Sequence, residues 1–108
     1  KAADGMEKMK DDMAGGAAVL GAMKLIAELG SDYEIHGIVA ATENLLGGAA
    51  YKPVDVLRSM NGKTVEVLNT DAEWRLVLMD SLTYAQQPGA TPVIHPATPT
   101  GPSVCNRS

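Results

Sequence analysis

The order of helix-like and strand-like segments is the feature that most constrains the fold of this chain. Apolar residues recur at helical spacing over residues 12–29 and 72–87, whereas residues 33–41 are mostly apolar, as in a buried strand. Further strand-like segments lie at residues 54–60, 63–68 and 93–94. Strands that alternate with helices predict an α/β fold, with a mixed or mostly parallel sheet flanked by helices.

Local signals predict where these elements begin and end. Asp11 or Asp12 can cap the first helix, where a negative charge suits the helix dipole, and Gly30 can end it. The glycines Gly15, Gly16 and Gly21 inside this helix lower its stability, so we expect another backbone or a ligand to approach closely at these positions. Asn61-Gly62 is typical of a tight turn between two antiparallel strands.

Composition excludes several classes of protein. The 108 residues are 45% hydrophobic but contain no Phe, so the core has to consist of aliphatic side chains and Met. A net charge of −4 without a Lys/Arg block argues against a nucleic-acid partner. No apolar run is long enough to span a membrane, and the first residues lack the apolar centre of a secretory signal. With the single cysteine Cys105, no internal disulfide is possible, and we expect a cytoplasmic location.

Both ends of the chain are unusual for a whole domain. The sequence starts without Met in a charged segment, and residues 96–108 are rich in Pro, Ser and Thr. We therefore expect a fragment in which residues 1–95 are part of a larger domain and residues 96–108 form an irregular tail.

Acidic residues between a strand and a helix are the strongest candidates for chemistry. Asp71 and Glu73 lie two residues apart at the edge of the predicted sheet, where ligands usually bind. Such carboxylates can converge on a divalent cation. Alternatively, Asn69, Thr70 or Asp71 simply caps the helix, and Glu73 lies in its first turn. Spacing alone favours capping, both here and for Asp12. His36 and His95 have no second His or Cys at short spacing, which argues against a histidine zinc site.

The sequence of this turn resembles a known family. Asn69-Thr70-Asp71-Ala72-Glu73, followed by Arg75-Leu76, resembles the signature Asn-Thr-Asp-Ala-Glu-Gly-Arg-Leu of the leucyl aminopeptidases, also called cytosol aminopeptidases. Further segments resemble the family in the family's order, at residues 9–16, 43–53, 61–67 and 97–101. The resemblance covers nearly the whole chain, and it implies that residues 1–95 are part of the family's C-terminal catalytic domain.

The resemblance also implies an activity and its cofactors. The family removes N-terminal amino acids, leucine in particular, from peptides with a free N-terminus. It uses two divalent metal ions, Zn²⁺ or Mn²⁺, and its members are usually cytoplasmic hexamers. Asp12 and Asp71 match metal ligands, and Glu73 matches the carboxylate that bridges the two ions. Lys1 matches the catalytic lysine, and Arg75 matches an arginine that helps to hold a bicarbonate.

Three further residues match the family's pocket for the N-terminal side chain of the substrate: Met9, Thr98 and Gly101. Two others depart from the family pattern, because Trp74 stands in place of Gly and Pro99 in place of Leu. We expect Trp74 to clash beside the metal ions or to displace the turn. The segment before Lys1, which supplies further ligands in the family, is absent, so we expect the chain alone to be inactive. Two alternatives remain: a non-catalytic relative or a truncated product, with a structural or binding role.

Overall fold

The computed structural model describes residues 5–44, 46–89, 91–96 and 103–105. A 3₁₀ helix, Met6–Asp12, precedes α1, and a second one, Thr70–Ala72, precedes α2. The helices and strands are α1 (Ala14–Leu29), β1 (Val56–Arg58), β2 (Thr64–Glu66), α2 (Glu73–Gln86), β3 (Val93–His95) and β4 (Ser103–Cys105). The predicted α/β class is confirmed. Both sheets of the described residues are two-stranded and antiparallel, β1 with β2 and β3 with β4.

The first helix begins later than predicted. Asp12 ends the 3₁₀ helix, and Met13, with φ −119° and ψ 24°, separates it from α1 without any side-chain cap. The prediction of an acidic N-cap is therefore wrong, because the acidic residues belong to the preceding 3₁₀ turns. The predicted end is confirmed: Gly30, at φ 81°, donates its amide to the Ile26 carbonyl over 2.8 Å.

Glycines let other segments approach α1. A β-carbon at Gly15 would lie 2.8 Å from the backbone oxygen of Pro96, and one at Gly16 would lie 3.4 Å from Val39. Gly37, in the same segment as Val39, also lies close to α1. A β-carbon at Gly37 would lie 3.0 Å from the sulfur of Met23 in that helix. The expected close approach is confirmed at Gly15, where the approaching group is backbone, and at Gly16. At Gly21 the prediction is wrong, because nothing lies within 4 Å of a β-carbon built there.

The predicted strand at residues 33–41 is wrong, because the structure has no strand there. A strand requires hydrogen bonds to a neighbour. Within the described part of the chain, the ladders are those of β1–β2 and β3–β4. The apolar residues of this segment instead lie beside α1, as the Gly16 and Gly37 contacts indicate.

The predicted hairpin is confirmed, and it holds the most buried part of the described chain. The amide of Gly62, at φ 86°, donates to the Ser59 carbonyl over 2.9 Å, and the Ser59 amide donates to the Lys63 carbonyl over 2.8 Å. Val67, which follows β2, is only 3% exposed. Asp80 of α2 accepts a hydrogen bond from the Met60 amide at 2.9 Å, so the hairpin is fixed to that helix.

Both ends of α2 lie within one residue of the predicted range 72–87. At its C-terminal end, the Gln87 amide donates to the Tyr84 carbonyl over 3.1 Å, just before Pro88 and Gly89. The predicted strand at residues 93–94 is confirmed as β3. Its partner β4 lies within the segment that we expected to be irregular.

Candidate functional site

The residues from Asn69 to Glu73, which we call the acidic turn, connect β2 to α2. Asn69 has an extended backbone, with φ −139° and ψ 116°, and its side-chain oxygen accepts a hydrogen bond from the Asp71 amide at 2.9 Å. Asn69 therefore caps the 3₁₀ helix Thr70–Ala72, whereas α2, which begins at Glu73, has Ala72 at its N-cap and no side-chain cap. This geometry places Asp71 in the 3₁₀ turn and Glu73 at the first position of the helix that follows it.

The Glu73 carboxylate is in contact with a distant part of the chain. The side-chain nitrogen of Asn44 donates a hydrogen bond to Glu73 Oε1 at 3.3 Å, and the two residues are 29 positions apart. Glu73 is half-buried, whereas Asn44 is exposed. The contact joins the segment that follows residues 33–41 to the first turn of α2.

Tyr51 also lies near this carboxylate. Its phenol has a pKa above the ordinary value, first because burial disfavours the phenolate and second because the negative charge of Glu73 disfavours it further. Tyr51 is thus a neutral phenol at ordinary pH, close enough to Glu73 to be affected by its charge. Asn44 and Tyr51, both in the segment 43–53, thus interact with Glu73, the first by a hydrogen bond and the second through charge.

Trp74 and Arg75 form a second contact in the same helical turn. The guanidinium carbon of Arg75 lies 4.8 Å from the centre of the Trp74 ring, within the range of a cation–π interaction. Trp74 is half-buried and Arg75 is exposed. The backbone accommodates Trp74, since the acidic turn keeps its Asn69 cap and α2 begins directly at Glu73. Within this turn, the predicted displacement is not seen.

The other predicted site residues lie elsewhere. Asp12 is exposed at the end of the first 3₁₀ helix, and Met9 is half-buried within that helix. Lys1, Thr98 and Gly101 lie outside the described residues. Across the residues for which the structure gives a position, no three His, Cys, Asp or Glu side chains are grouped closely enough to hold a metal ion. The structure therefore brings Asp71 and Glu73 into one turn but does not group them with Asp12.

Sequence reasoning assigned no role to Asn44 or Tyr51. Both lie in the segment 43–53 that resembles the family, but neither is near Glu73 in the sequence. No spacing rule could have found these contacts, since they depend on how the loop returns to α2. The family resemblance of the segment was the only signal that pointed to it.

Comparison with known proteins identifies the family. The catalytic domain of the cytosol aminopeptidase family matches residues 1–106. This chain belongs to that family. The match includes every residue of the acidic turn and confirms the resemblance noted in the sequence.

Curated relatives of this chain are much longer than the chain itself. The proteins named probable cytosol aminopeptidase from Solibacter usitatus and Koribacter versatilis are 54% and 58% identical to it over 101 residues. Each of these alignments covers 94% of the chain, but only 21% and 20% of the relative. The protein of the same name from Wolinella succinogenes is 56% identical over 104 residues, which are 96% of the chain and 22% of the relative. The chain thus spans about a fifth of the length of the curated relatives it matches. No solved structure matches it.

The helices give no sign of a membrane span. Among residues 5–44, 46–89, 91–96 and 103–105, no helix combines the length and the apolar character needed to cross a bilayer.

Proposed function

We propose that this chain is part of a metal-dependent aminopeptidase that removes N-terminal, leucine-like residues from peptides in the cytoplasm. The observation that carries the proposal is the family match over residues 1–106, which contains the acidic turn. In that turn, Asn69 holds the backbone of Asp71 and Asn44 contacts the carboxylate of Glu73. Peptides with a free N-terminus are the substrates that this activity implies, and a homohexamer is the assembly that we expect for the whole protein.

The donors of the acidic turn fit a divalent metal ion in their chemistry. Carboxylate oxygens bind Zn²⁺ and Mn²⁺, and Asp71 and Glu73 provide them next to a helix N-terminus. In our proposal, Asp12, Asp71 and Glu73 would hold two such ions, and Glu73 would be the ligand that both ions share. Bound ions lower the pKa of water and polarise a carbonyl, which is what hydrolysis of an amide at neutral pH requires.

The remaining proposed site residues stabilise negative charge during the reaction or bind the substrate. Lys1 provides positive charge where negative charge develops on the carbonyl oxygen. Arg75 has a permanent positive charge, which suits it to holding a bicarbonate. The family resemblance assigns Met9, Thr98 and Gly101 to binding of the N-terminal side chain of the substrate. Asn69 contributes indirectly, because its cap fixes the backbone that carries Asp71.

We also propose that the 108 residues alone are inactive. They span about a fifth of the relatives, and no three metal donors are grouped within the described part of the chain. A second candidate function, a non-catalytic relative with a structural or binding role, is favoured by the stacking of Arg75 on Trp74. An arginine stacked on a ring is less available to bind a bicarbonate.

A segment exchange tests the proposal. In the segment-exchange protein, this chain replaces the matching 101-residue segment of the Solibacter usitatus relative. Hydrolysis of leucine p-nitroanilide is measured with Mn²⁺ or Zn²⁺, and the unchanged relative provides the reference rate. We expect activity that Glu73→Gln abolishes, whereas Glu66→Gln, on exposed strand β2, leaves it unchanged.

Two results would contradict the proposal in different ways. An inactive segment-exchange protein beside an active parent would favour the non-catalytic relative. Activity that survives Glu73→Gln would remove Glu73 from the metal ligands. Calorimetric titration of the 108-residue chain with Zn²⁺ or Mn²⁺ tests the inactivity proposal separately, because tight binding of two ions per chain would contradict an incomplete site.

A further inference from the structure

The contact between Asn44 and Glu73 has a chemical direction. An amide nitrogen can only donate, and an ionised carboxylate can only accept, so the 3.3 Å contact runs from Asn44 Nδ2 to Glu73 Oε1. A neutral donor fixes the carboxylate without neutralising its charge. One oxygen of Glu73 is oriented in this way, while the carboxylate still has lone pairs with which to bind a cation.

The position of Glu73 makes this orientation useful. As the first residue of α2, its backbone is fixed by the helix, but its side chain has several rotatable bonds. A half-buried carboxylate held from only one side would sample several rotamers. Asn44 approaches from a segment 29 residues away, so it restrains the end of the side chain rather than its base.

Tyr51 lies near the same carboxylate. Its pKa is raised first by burial and second by the negative charge of Glu73. The environment of Glu73 therefore contains an amide and a neutral phenol, both of which are polar without carrying a competing positive charge. This is the composition of groups that orient a metal ligand from outside the metal site.

We infer that Asn44 is a positioning residue, which holds the Glu73 carboxylate in the orientation needed to bind a divalent cation. The inference rests on the proposed function, in which Glu73 is a metal ligand. Asn44 itself does not touch the metal or the substrate. A purely structural role, in which Asn44 only fastens its loop to α2, would affect stability without affecting cation binding.

Mn²⁺ binding by the full 108-residue chain tests the inference, because paramagnetic broadening of NMR signals detects even weak binding. We expect Asn44→Ala to raise the Kd for Mn²⁺ about tenfold, as is usual when a group that orients a ligand is removed. The matched control is Thr42→Ala on the same segment, where the hydroxyl donates only to the neighbouring Glu43 carbonyl at 3.4 Å. We expect that variant to bind like the parent, and thermal unfolding of both variants gives their stability.

The outcomes separate this inference from the proposed function. A higher Kd for Asn44→Ala, with Thr42→Ala unchanged and both variants folded at the assay temperature, supports it. An unchanged Kd for Asn44→Ala, with or without a lower unfolding temperature, overturns it while Glu73→Gln still abolishes binding. If Glu73→Gln leaves Mn²⁺ binding unchanged, the metal-ligand role in the proposed function fails, and the positioning role fails with it.

Discussion

Trp74 stacks with Arg75 in the first turn of α2, and this contact allows a quantitative prediction about Arg75. The guanidinium lies 4.8 Å from the ring centre, and Arg75 is exposed. A cation–π contact at an exposed site is worth about 0.5–1 kcal/mol. Since 1.4 kcal/mol corresponds to a factor of ten, the stacked form of Arg75 is favoured by a factor of about two to five.

Replacing the indole ring should release Arg75. Trp74→Leu removes the ring but keeps an apolar side chain with good helix propensity, whereas Trp74→Phe keeps an aromatic ring. If Arg75 takes part in catalysis, we expect Trp74→Leu to raise leucine p-nitroanilide hydrolysis by the segment-exchange protein about two- to fivefold. Trp74→Gly should also raise the rate, but it should lower the free energy of unfolding by about 1 kcal/mol, because glycine weakens a helix.

Fluorescence provides an independent measurement of the contact. Trp74 is the only tryptophan in the chain, so its emission reports on this position alone. We expect Arg75→Ala to change the emission of Trp74, and Arg58→Ala, in strand β1, to leave it unchanged. Equal hydrolysis rates for Trp74→Leu and Trp74→Phe, together with unchanged emission in Arg75→Ala, would refute the reasoning.

Two further predictions concern charge and packing. Glu73→Gln should lower the pKa of Tyr51, because it removes a negative charge. Burial, the larger cause, should still keep this pKa above the ordinary value. NMR titration of the tyrosine ring measures the pKa, and an unchanged value would mean that Glu73 does not act on the phenol. Gly15→Ala should lower the free energy of unfolding in urea, because its β-carbon would lie 2.8 Å from the Pro96 oxygen. Gly21→Ala is the matched control in the same helix: with nothing within 4 Å of its β-carbon, it should gain about 0.5–1 kcal/mol from better helix propensity. Equal effects of the two alanines would contradict the close approach at Gly15.

Much of the fold could be predicted because its signals are local. Gly30 ends α1, and the Asn61-Gly62 turn joins β1 to β2, since in both places a glycine adopts a positive φ that other residues avoid. The segment 33–41 could not be assigned correctly from its apolar residues alone. Whether such residues form a strand depends on a hydrogen-bonding neighbour, and that neighbour is not encoded in the segment itself.

In the candidate site, too, the features with local sequence signals could be predicted, and those that depend on distant segments could not. The cap by Asn69 and the placement of Asp71 and Glu73 at a helix start follow from five consecutive residues, and the sequence predicted them. The Asn44 contact with this turn and the effect of the Glu73 charge on Tyr51 depend on the path of a loop between two distant elements. Local rules do not determine that path, so the structure was needed to find them.

The contact at Gly15 has a consequence for how the chain is made. Gly15 and Pro96 are about 80 residues apart, and closing a loop of that length carries an entropic cost that local contacts avoid. During translation, α1 leaves the ribosome long before Pro96 is synthesised. The start of α1 must therefore keep this side uncovered until Pro96 has been synthesised, and any larger residue at position 15 would obstruct the segment that contains Pro96.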